Sequence, residues 1–209
     1  MRFKDRKQAG EKLAKALKEF KGRDAVVYAL PRGGIILGQE VAKEIQAPLD
    51  LLIPRKIGHP SMSEYAIAAV TEAGEVVKNE AEVALVDQTW FDDAVETQRK
   101  EAKRRRAMYL DGRAAVRVTN KIGIIVDDGI ATGLTMKAAI ADLKRLDPSM
   151  IVIAVPVASK DTTEELKKIV DRVVVLHVPM MFLGAIGSYY DSFEQVTDDE
   201  AVTLMKNIK

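Results

Sequence analysis

The sequence predicts an α/β protein built on an open, mainly parallel sheet of five strands flanked by helices. Three observations predict this fold class. Short apolar runs alternate with segments of helical periodicity, which is the pattern of βαβ units. The runs are nearly continuous in apolar residues, as in the buried strands of parallel sheets. A longer excursion, roughly residues 57–117, separates the second run from the third and fits an inserted cap.

The elements follow one another in an order that is Rossmann-like. A predicted helix from Asp5 to Phe20 opens the chain, with apolar residues at helical spacing. The run DAVVYAL leads into the turn PRGG, the helical segment IILGQEVAKEI and a second run, LDLLIPRK. The later runs KIGIIV, MIVIAVPVA and RVVVLHV are separated by the helical segments LTMKAAIADLKRL and TEELKKIV. The predicted core strands are residues 25–30, 49–54, 121–126, 150–157 and 172–178.

The excursion predicts a small hairpin followed by a long helix. YAIAAVTEAGEVV has the pattern of a hairpin with Ala73-Gly74 near its turn, and the long helix begins near Asp87. The closing segment DSFEQVTDDEAVTLMKNI predicts a short helix with Thr197 or Asp198 as its N-cap. We therefore expect a single domain, residues 1–209, with residues 57–117 as a cap or flexible-loop region within it.

The composition fits an ordinary globular chain. It has 209 residues, of which 47% are hydrophobic and 30% are charged. Lys and Arg number 32 against 31 Asp and Glu, so the net charge gives no case for nucleic acid or an anionic membrane as a partner. The chain has no Cys, which excludes disulfides and thiolate zinc sites and suits a reducing compartment. Neither a signal peptide nor a membrane span is expected, and we predict a cytoplasmic protein.

Two adjacent acids follow the third core strand in the stretch IIVDDGIATGLT. Asp127 and Asp128 fall at the carboxyl end of that strand, where open parallel sheets bind their ligands. The turn that follows precedes a helix, so its N–H groups and hydroxyls are expected to converge on a phosphate. The residues of this turn are Ala131, Thr132, Gly133, Leu134 and Thr135. Because carboxylates repel phosphate, the acids should hold sugar hydroxyls or Mg²⁺, and a ribose 5-phosphate moiety fits both halves.

Other phosphate-binding loops have a different spacing. A Walker loop ends in Gly-Lys-Ser/Thr, whereas Gly133 is followed by Leu134. No Gly-x-Gly-x-x-Gly fingerprint follows any predicted strand.

The stretch VDDGIATGLT resembles the phosphoribosyl-pyrophosphate (PRPP) motif of the type I phosphoribosyltransferase family. LPRGG is similar to the pyrophosphate loop of that family, which implicates Arg32 and Gly33, often beside a non-proline cis peptide. PRK stands where the family commonly has a basic pair on pyrophosphate, here Arg55 and Lys56, and IGHPSMSEYA falls where it has a mobile loop. The whole chain also resembles a group of predicted phosphoribosyltransferases of unassigned base specificity.

The resemblance implies a Mg²⁺-dependent glycosyltransferase that acts on PRPP and a small nitrogenous base. In such an enzyme Asp127 and Asp128 hold the ribose hydroxyls, directly or through Mg²⁺, and are the implied metal ligands. Arg32, Arg55 and Lys56 stabilise the charge that grows on the leaving diphosphate. Asp127, Asp128, Arg32 and Lys56 are thus the implied catalytic residues.

The acceptor base is constrained only in part. In the 6-oxopurine enzymes an Asp lies four positions after the first acid, and here that position is Ala131, which disfavours hypoxanthine and guanine. The base pocket is expected in the excursion or in PMMFLGAIGSYY, where Phe182, Tyr189 and Tyr190 are suited to stacking on a ring.

Two other functions compete with transfer. The helix at 88–111 carries a basic stripe for which a solvated face, a contact with substrate phosphate or a partner subunit, and a contact with nucleic acid all remain open. A PRPP-binding regulatory protein that contacts nucleic acid through this helix is the main alternative, disfavoured by the balanced net charge. PRPP synthesis is disfavoured because tandem PRPP-type domains are lacking. A homodimer is expected, since dimers are common among similar enzymes.

Overall fold

A five-stranded parallel sheet forms the centre of the structure, a computed structural model that describes residues 1–206. In spatial order the strands are β2 (Leu49–Leu51), β1 (Ala25–Ala29), β6 (Ile122–Val126), β7 (Met150–Val157) and β8 (Arg172–His177). Every adjacent pair is parallel. The five predicted core strands are therefore confirmed, although the second ends at Leu51 and not at residue 54.

Helices flank both faces of this sheet. They are α1 (Arg6–Ala16), α2 (Gly34–Ile45), α5 (Leu134–Lys144), α6 (Lys160–Lys167) and α7 (Asp198–Lys206). Alternate residues of β1 face opposite cores: Val27 packs in one apolar cluster and Val26 in the other. The predicted opening helix is divided, because α1 ends at Ala16 and a short 3-10 helix follows at Lys18–Phe20.

Side-chain caps begin the helices at both ends of the chain. The Asp5 carboxylate accepts a hydrogen bond from the N–H of Gln8 at the start of α1. At the start of α7 the Thr197 hydroxyl accepts from the N–H of Glu200, whose carboxylate accepts from the N–H of Thr197 over 2.7 Å. Of the two N-cap candidates, Thr197 is therefore confirmed.

The excursion contains a second, antiparallel sheet of three strands. Its strands are β3 (Arg55–His59), β4 (Met62–Val70) and β5 (Val76–Lys78), and α3 (Glu80–Val83) and α4 (Gln88–Leu110) follow. The predicted hairpin is β4–β5, and the long helix starts after its N-cap Asp87, as predicted. Strand β3 was not predicted, because Ile57 alone is buried in it. The stretch expected to be a mobile loop lies largely in the β3–β4 hairpin.

Arg106 fastens α4 to the edge of the central sheet. Its guanidinium donates to the carbonyl oxygen of Leu51 over 2.8 Å and pairs with Asp50 over 3.3 Å. It also pairs with Glu72 of the cap over 3.2 Å. Part of the predicted basic stripe thus joins the cap to the sheet and does not face solvent. Within residues 1–206, no helix combines the length and the apolar character that a membrane span requires.

Candidate active site

The ends of β1 and β6 bring the PRGG loop against the acid pair. The two strands are neighbours in register, with Ala29 opposite Val126, so the residues after each strand meet at the same edge of the sheet. A Cβ atom on Gly33 would overlap Oδ2 of Asp128, and one on Gly34 would lie 3.2 Å from Oδ1 of Asp127. Both glycines are therefore required by close approach, and the predicted pyrophosphate loop touches both acids.

Asp128 is held by an arginine from the first helix. Its Oδ2 accepts a hydrogen bond from Nε of Arg6 over 2.7 Å, and the side chains of the pair are 16% and 11% exposed. Arg6 is fixed in turn by the carbonyl oxygen of Glu194 at 2.6 Å and by the ring of Phe193, whose centroid is 3.7 Å from the guanidinium carbon. Tyr190 donates its hydroxyl to the carbonyl oxygen of Asp128 over 2.7 Å. Arg6 thus holds the carboxylate of Asp128, and Tyr190 holds its backbone carbonyl.

The two acids differ in charge environment. Burial raises the pKa of Asp127 well above its usual range, and the neighbouring charge of Asp128 raises it further. Burial also raises the pKa of Asp128, but the Arg6 guanidinium opposes that rise. Within residues 1–206 Asp127 has no ion-pair partner, and its Oδ1 accepts only from the N–H of Asp128 over 2.8 Å. Asp127 is therefore the carboxylate that a bound cation or a pair of hydroxyl donors would stabilise.

The loop of residues 131–135 presents its main chain at the start of α5. Gly133 is the N-cap with φ of +80°, a left-handed conformation that favours glycine. Among residues 1–206, no acceptor pairs with the backbone N–H groups of this loop. Thr162 stabilises the loop, because its hydroxyl donates a hydrogen bond to the carbonyl oxygen of Ala131 over 3.0 Å. The free N–H groups at the helix N-terminus form the arrangement that binds phosphate.

The predicted diphosphate residues have different surroundings. Arg32 follows a cis peptide bond with Pro31, and its Nη1 lies 3.1 Å from Oδ1 of Asp198. Arg55 is half-buried and donates from Nε to Oε1 of Gln98 over 3.1 Å. Lys56 is exposed and pairs with Glu64 of the cap hairpin over 2.7 Å. Arg32 and Arg55 thus contact other residues of the protein, and the contact of all three basic residues with a diphosphate stays a prediction.

Two of the three predicted base-pocket residues are buried, which corrects the prediction that they stack on a base. Tyr190 is 2% exposed and packs between Phe3 and Phe193, so its ring has no free face for stacking on a base. Tyr189 is also buried, and its hydroxyl accepts from the N–H of Leu183 over 2.8 Å. Phe182 is half-buried and stacks on Tyr189, with ring centroids 5.6 Å apart. Of the three rings, the structure leaves only that of Phe182 accessible to a ligand.

Sequence reasoning missed Arg6, Phe193 and Asp198 as parts of this site. Arg6 lies in a helix rich in charged residues, where nothing marks one guanidinium as buried. Asp198 was considered only as a helix cap, although its carboxylate also accepts from the hydroxyl of Tyr109 over 2.6 Å. No signal in the sequence links these residues to an acid pair that lies many positions away.

We expect the substitution Tyr190→Phe to lower the free energy of unfolding by about 1 kcal/mol, because the carbonyl of Asp128 loses a buried donor. Urea denaturation measures this change. Tyr65→Phe is the matched control, since the Tyr65 hydroxyl bonds Glu82 at the surface and its loss should have little effect. Equal unfolding curves for the two variants would contradict the structural role assigned to Tyr190.

Comparisons with known proteins show which family the chain resembles. The model of the phosphoribosyl transferase domain matches residues 3–192. A Mycobacterium tuberculosis H37Rv protein named "Putative phosphoribosyl transferase Rv0571c" is 40% identical over 205 residues, which make up 97% of this chain and 46% of that protein. The chain thus spans about half the length of the curated relatives that it matches. The crystal structure of TT1426 from Thermus thermophilus is 38% identical, covers 98% of both chains and superposes with a TM-score of 0.81.

The match of the domain model covers both strand ends that carry the PRGG loop and the acid pair, together with the loop at the start of α5. The chain belongs to the phosphoribosyl transferase domain family.

Proposed function

We propose that the protein transfers the 5-phosphoribosyl group of PRPP to a nitrogenous base and releases pyrophosphate. One observation carries this proposal: a helix N-terminus whose loop N–H groups have no acceptor within residues 1–206 lies directly after a half-buried acid pair that touches the PRGG loop. A phosphate at the loop and a diol at the acids would place a sugar phosphate between them.

The residues present also fit Mg²⁺. Asp127 and Asp128 supply hard carboxylate oxygens, and the half-buried Asp127 lies beside a like charge with no cation paired to it within residues 1–206. We propose these two acids as the metal ligands. When bound, the ion would neutralise part of the charge on the leaving diphosphate.

The chain itself contributes positioning and charge. The N–H groups of residues 131–135 would hold the 5-phosphate, while Asp127 would accept hydrogen bonds from the ribose hydroxyls. As the bond from C1 to the diphosphate breaks, positive charge grows on the ring and negative charge on the leaving group. The acids would stabilise the first, and Arg32, Arg55 and Lys56 the second.

Two features bear on the acceptor base. Ala131 provides no carboxylate at the position where the 6-oxopurine enzymes have an Asp. The accessible ring of Phe182, backed by Tyr189, is suited to stacking on a flat heterocycle. We therefore propose an acceptor other than hypoxanthine or guanine. A homodimer in the cytoplasm remains part of the proposal, and light scattering tests the dimer.

The alternative of a nucleic-acid-binding regulator gains no support from α4. Arg104 and Arg105 both pair with Glu101, and Arg106 pairs with Asp50 and Glu72. Because these arginines are paired with different acids, α4 does not present the continuous free basic face that would follow a nucleic-acid backbone.

A panel of nucleobases tests the proposed reaction. The protein is incubated with PRPP, Mg²⁺ and one base at a time, and the pyrophosphate released is measured. We expect release with at least one base but not with hypoxanthine or guanine. Ribose 5-phosphate in place of PRPP is the control, since it carries no diphosphate. Tight PRPP binding without release in the presence of any base would overturn the transferase proposal in favour of a binding protein.

A further inference from the structure

Four arginines from three parts of the chain lie near one another, and one of them, Arg32, belongs to the PRGG loop. We call them the arginine cluster, and they are Arg32, Arg55, Arg104 and Arg105. Two acids, Glu101 and Asp198, join three of these guanidinium groups.

Shared carboxylates bring the arginines of α4 to the loop. Asp198 accepts from Nη1 of Arg32 at Oδ1 over 3.1 Å, and its Oδ2 lies 3.7 Å from Nη2 of Arg104. Glu101 accepts from Nε of Arg104 over 2.7 Å and from Nε of Arg105 over 2.6 Å. Because each carboxylate bridges two guanidinium groups, Arg32, Arg104 and Arg105 form a continuous chain of contacts.

The arginine cluster carries more positive charge than its acids balance. Arg55 has no carboxylate within ion-pair distance among residues 1–206, and its bonded partner is the neutral side chain of Gln98. Burial lowers the pKa of Arg55, and the charge of Arg105 lowers it further. The charge of Glu101 opposes these effects from beyond ion-pair distance. A half-buried guanidinium that lies beside like charges and has no ion-pair partner within residues 1–206 would be stabilised by an anion.

The arginine cluster lies on the side of the site where a diphosphate would be. Arg32 directly precedes Gly33, the residue that touches Asp128. If the acids hold the ribose hydroxyls, the adjacent C1 carbon and the group attached to it lie next to the PRGG loop. The 5-phosphate at residues 131–135 would occupy the opposite end of the sugar.

We propose that Arg104 and Arg105 bind the diphosphate of PRPP together with Arg32 and Arg55, and that Glu101 partly neutralises the two α4 arginines until the ligand arrives. This inference rests on the proposed function. It assigns the long cap helix a part in the site, through two of its arginines.

Binding of three probes tests the inference by calorimetry: PRPP, inorganic pyrophosphate and ribose 5-phosphate, each with Mg²⁺. We expect Arg104→Ala and Arg105→Ala each to weaken PRPP and pyrophosphate binding about tenfold, as for a charge-assisted contact, and to leave ribose 5-phosphate binding unchanged. Lys103→Ala is the matched control. It removes the same charge from the next residue of α4, on a side chain that lies near Glu72 and outside the arginine cluster. Arg104 is 53% exposed, so its substitution should preserve the fold.

A second variant separates binding from a purely structural role. Glu101→Gln removes a negative charge next to Arg104 and Arg105, and we expect pyrophosphate to bind several-fold more tightly. Unchanged or weaker pyrophosphate binding in Glu101→Gln would overturn the inference, as would equal loss of all three ligands in the arginine variants. If the wild-type protein binds PRPP but the arginine variants match Lys103→Ala, the inference alone fails. If the wild-type protein does not bind PRPP, the proposed function fails with it.

Discussion

Asp127→Asn is expected to lower the rate of phosphoribosyl transfer by at least about 100-fold while raising the free energy of unfolding at neutral pH. Transfer falls because a neutral amide neither binds Mg²⁺ well nor stabilises a positively charged ribose ring. Stability rises because ionisation of this half-buried carboxylate is unfavourable: it lies beside Asp128 and has no ion-pair partner within residues 1–206. The substitution removes that unfavourable charge without removing atoms from the core.

Asp128→Asn is expected to lose transfer to a similar degree but to lower the free energy of unfolding by about 3 kcal/mol. The difference comes from Arg6, whose guanidinium would remain largely buried without the carboxylate that it now contacts. Urea denaturation of both variants beside the wild type measures the contrast. Shifts of the same sign would contradict the different charge environments of the two acids.

The stability difference between Asp127→Asn and the wild type should change with pH in one direction. Because the pKa of Asp127 is raised in the folded state, the carboxyl destabilises the fold fully at pH values above that raised pKa. Below the raised pKa the destabilisation decreases steadily, and it disappears only below the ordinary pKa of an aspartate. The stability advantage of Asp127→Asn over the wild type should therefore shrink from pH 7 towards the ordinary pKa of an aspartate. An advantage that grows on acidification would contradict this assignment.

Gly33→Ala is expected to abolish PRPP binding and to lower the free energy of unfolding by about 3 kcal/mol. The backbone at Gly33 has φ of −58° and ψ of −40°, which alanine adopts readily, so the cost is entirely one of space. The added methyl group would overlap Oδ2 of Asp128 and lie 2.7 Å from Nε of Arg6. The acid would have to move away from its guanidinium partner, and the PRGG loop away from the acid.

Gly22→Ala is the control for this substitution. Gly22 has φ of +74°, and no atom lies within 4 Å of an added Cβ. Alanine there should lower the free energy of unfolding by about 1 kcal/mol through left-handed backbone strain, without any steric overlap. We expect that variant to bind PRPP normally in titration calorimetry. Wild-type affinity for PRPP in Gly33→Ala would show that the contact between the loop and the acid is dispensable.

The sequence predicted those parts of the fold that depend on local pattern. Residues 150–157 are almost entirely apolar and are found as β7 with the predicted bounds. Strand β3 escaped prediction because its side chains are mostly polar and its order comes from pairing with β4, for example Arg55 opposite Val70. The acid pair and the loop at residues 131–135 were predicted because one short stretch contains both.

The remainder of the site depends on contacts between distant segments. The buried ion pair of Arg6 and Asp128 joins residues 122 positions apart, and nothing in the sequence around Arg6 indicates it. Tyr190 was expected at the ligand because an aromatic residue in a loop suits stacking, yet its hydroxyl supports the backbone of Asp128. Residue type suggested contact with a base, but only the packing of the chain shows which face of a ring is free.

Several contacts in and around the candidate site join residues that lie far apart in the sequence. Arg32 and Asp198 are 166 positions apart, and Phe3 pairs with Tyr190 across nearly the whole chain. Contacts of such high sequence separation form slowly, because the entropy of closing a long loop is lost before the contact is made. The βαβ units have more local contacts and can assemble earlier. We therefore expect the candidate site to be completed late in folding, after the segments around Phe3 and Tyr190 pack onto an already formed sheet.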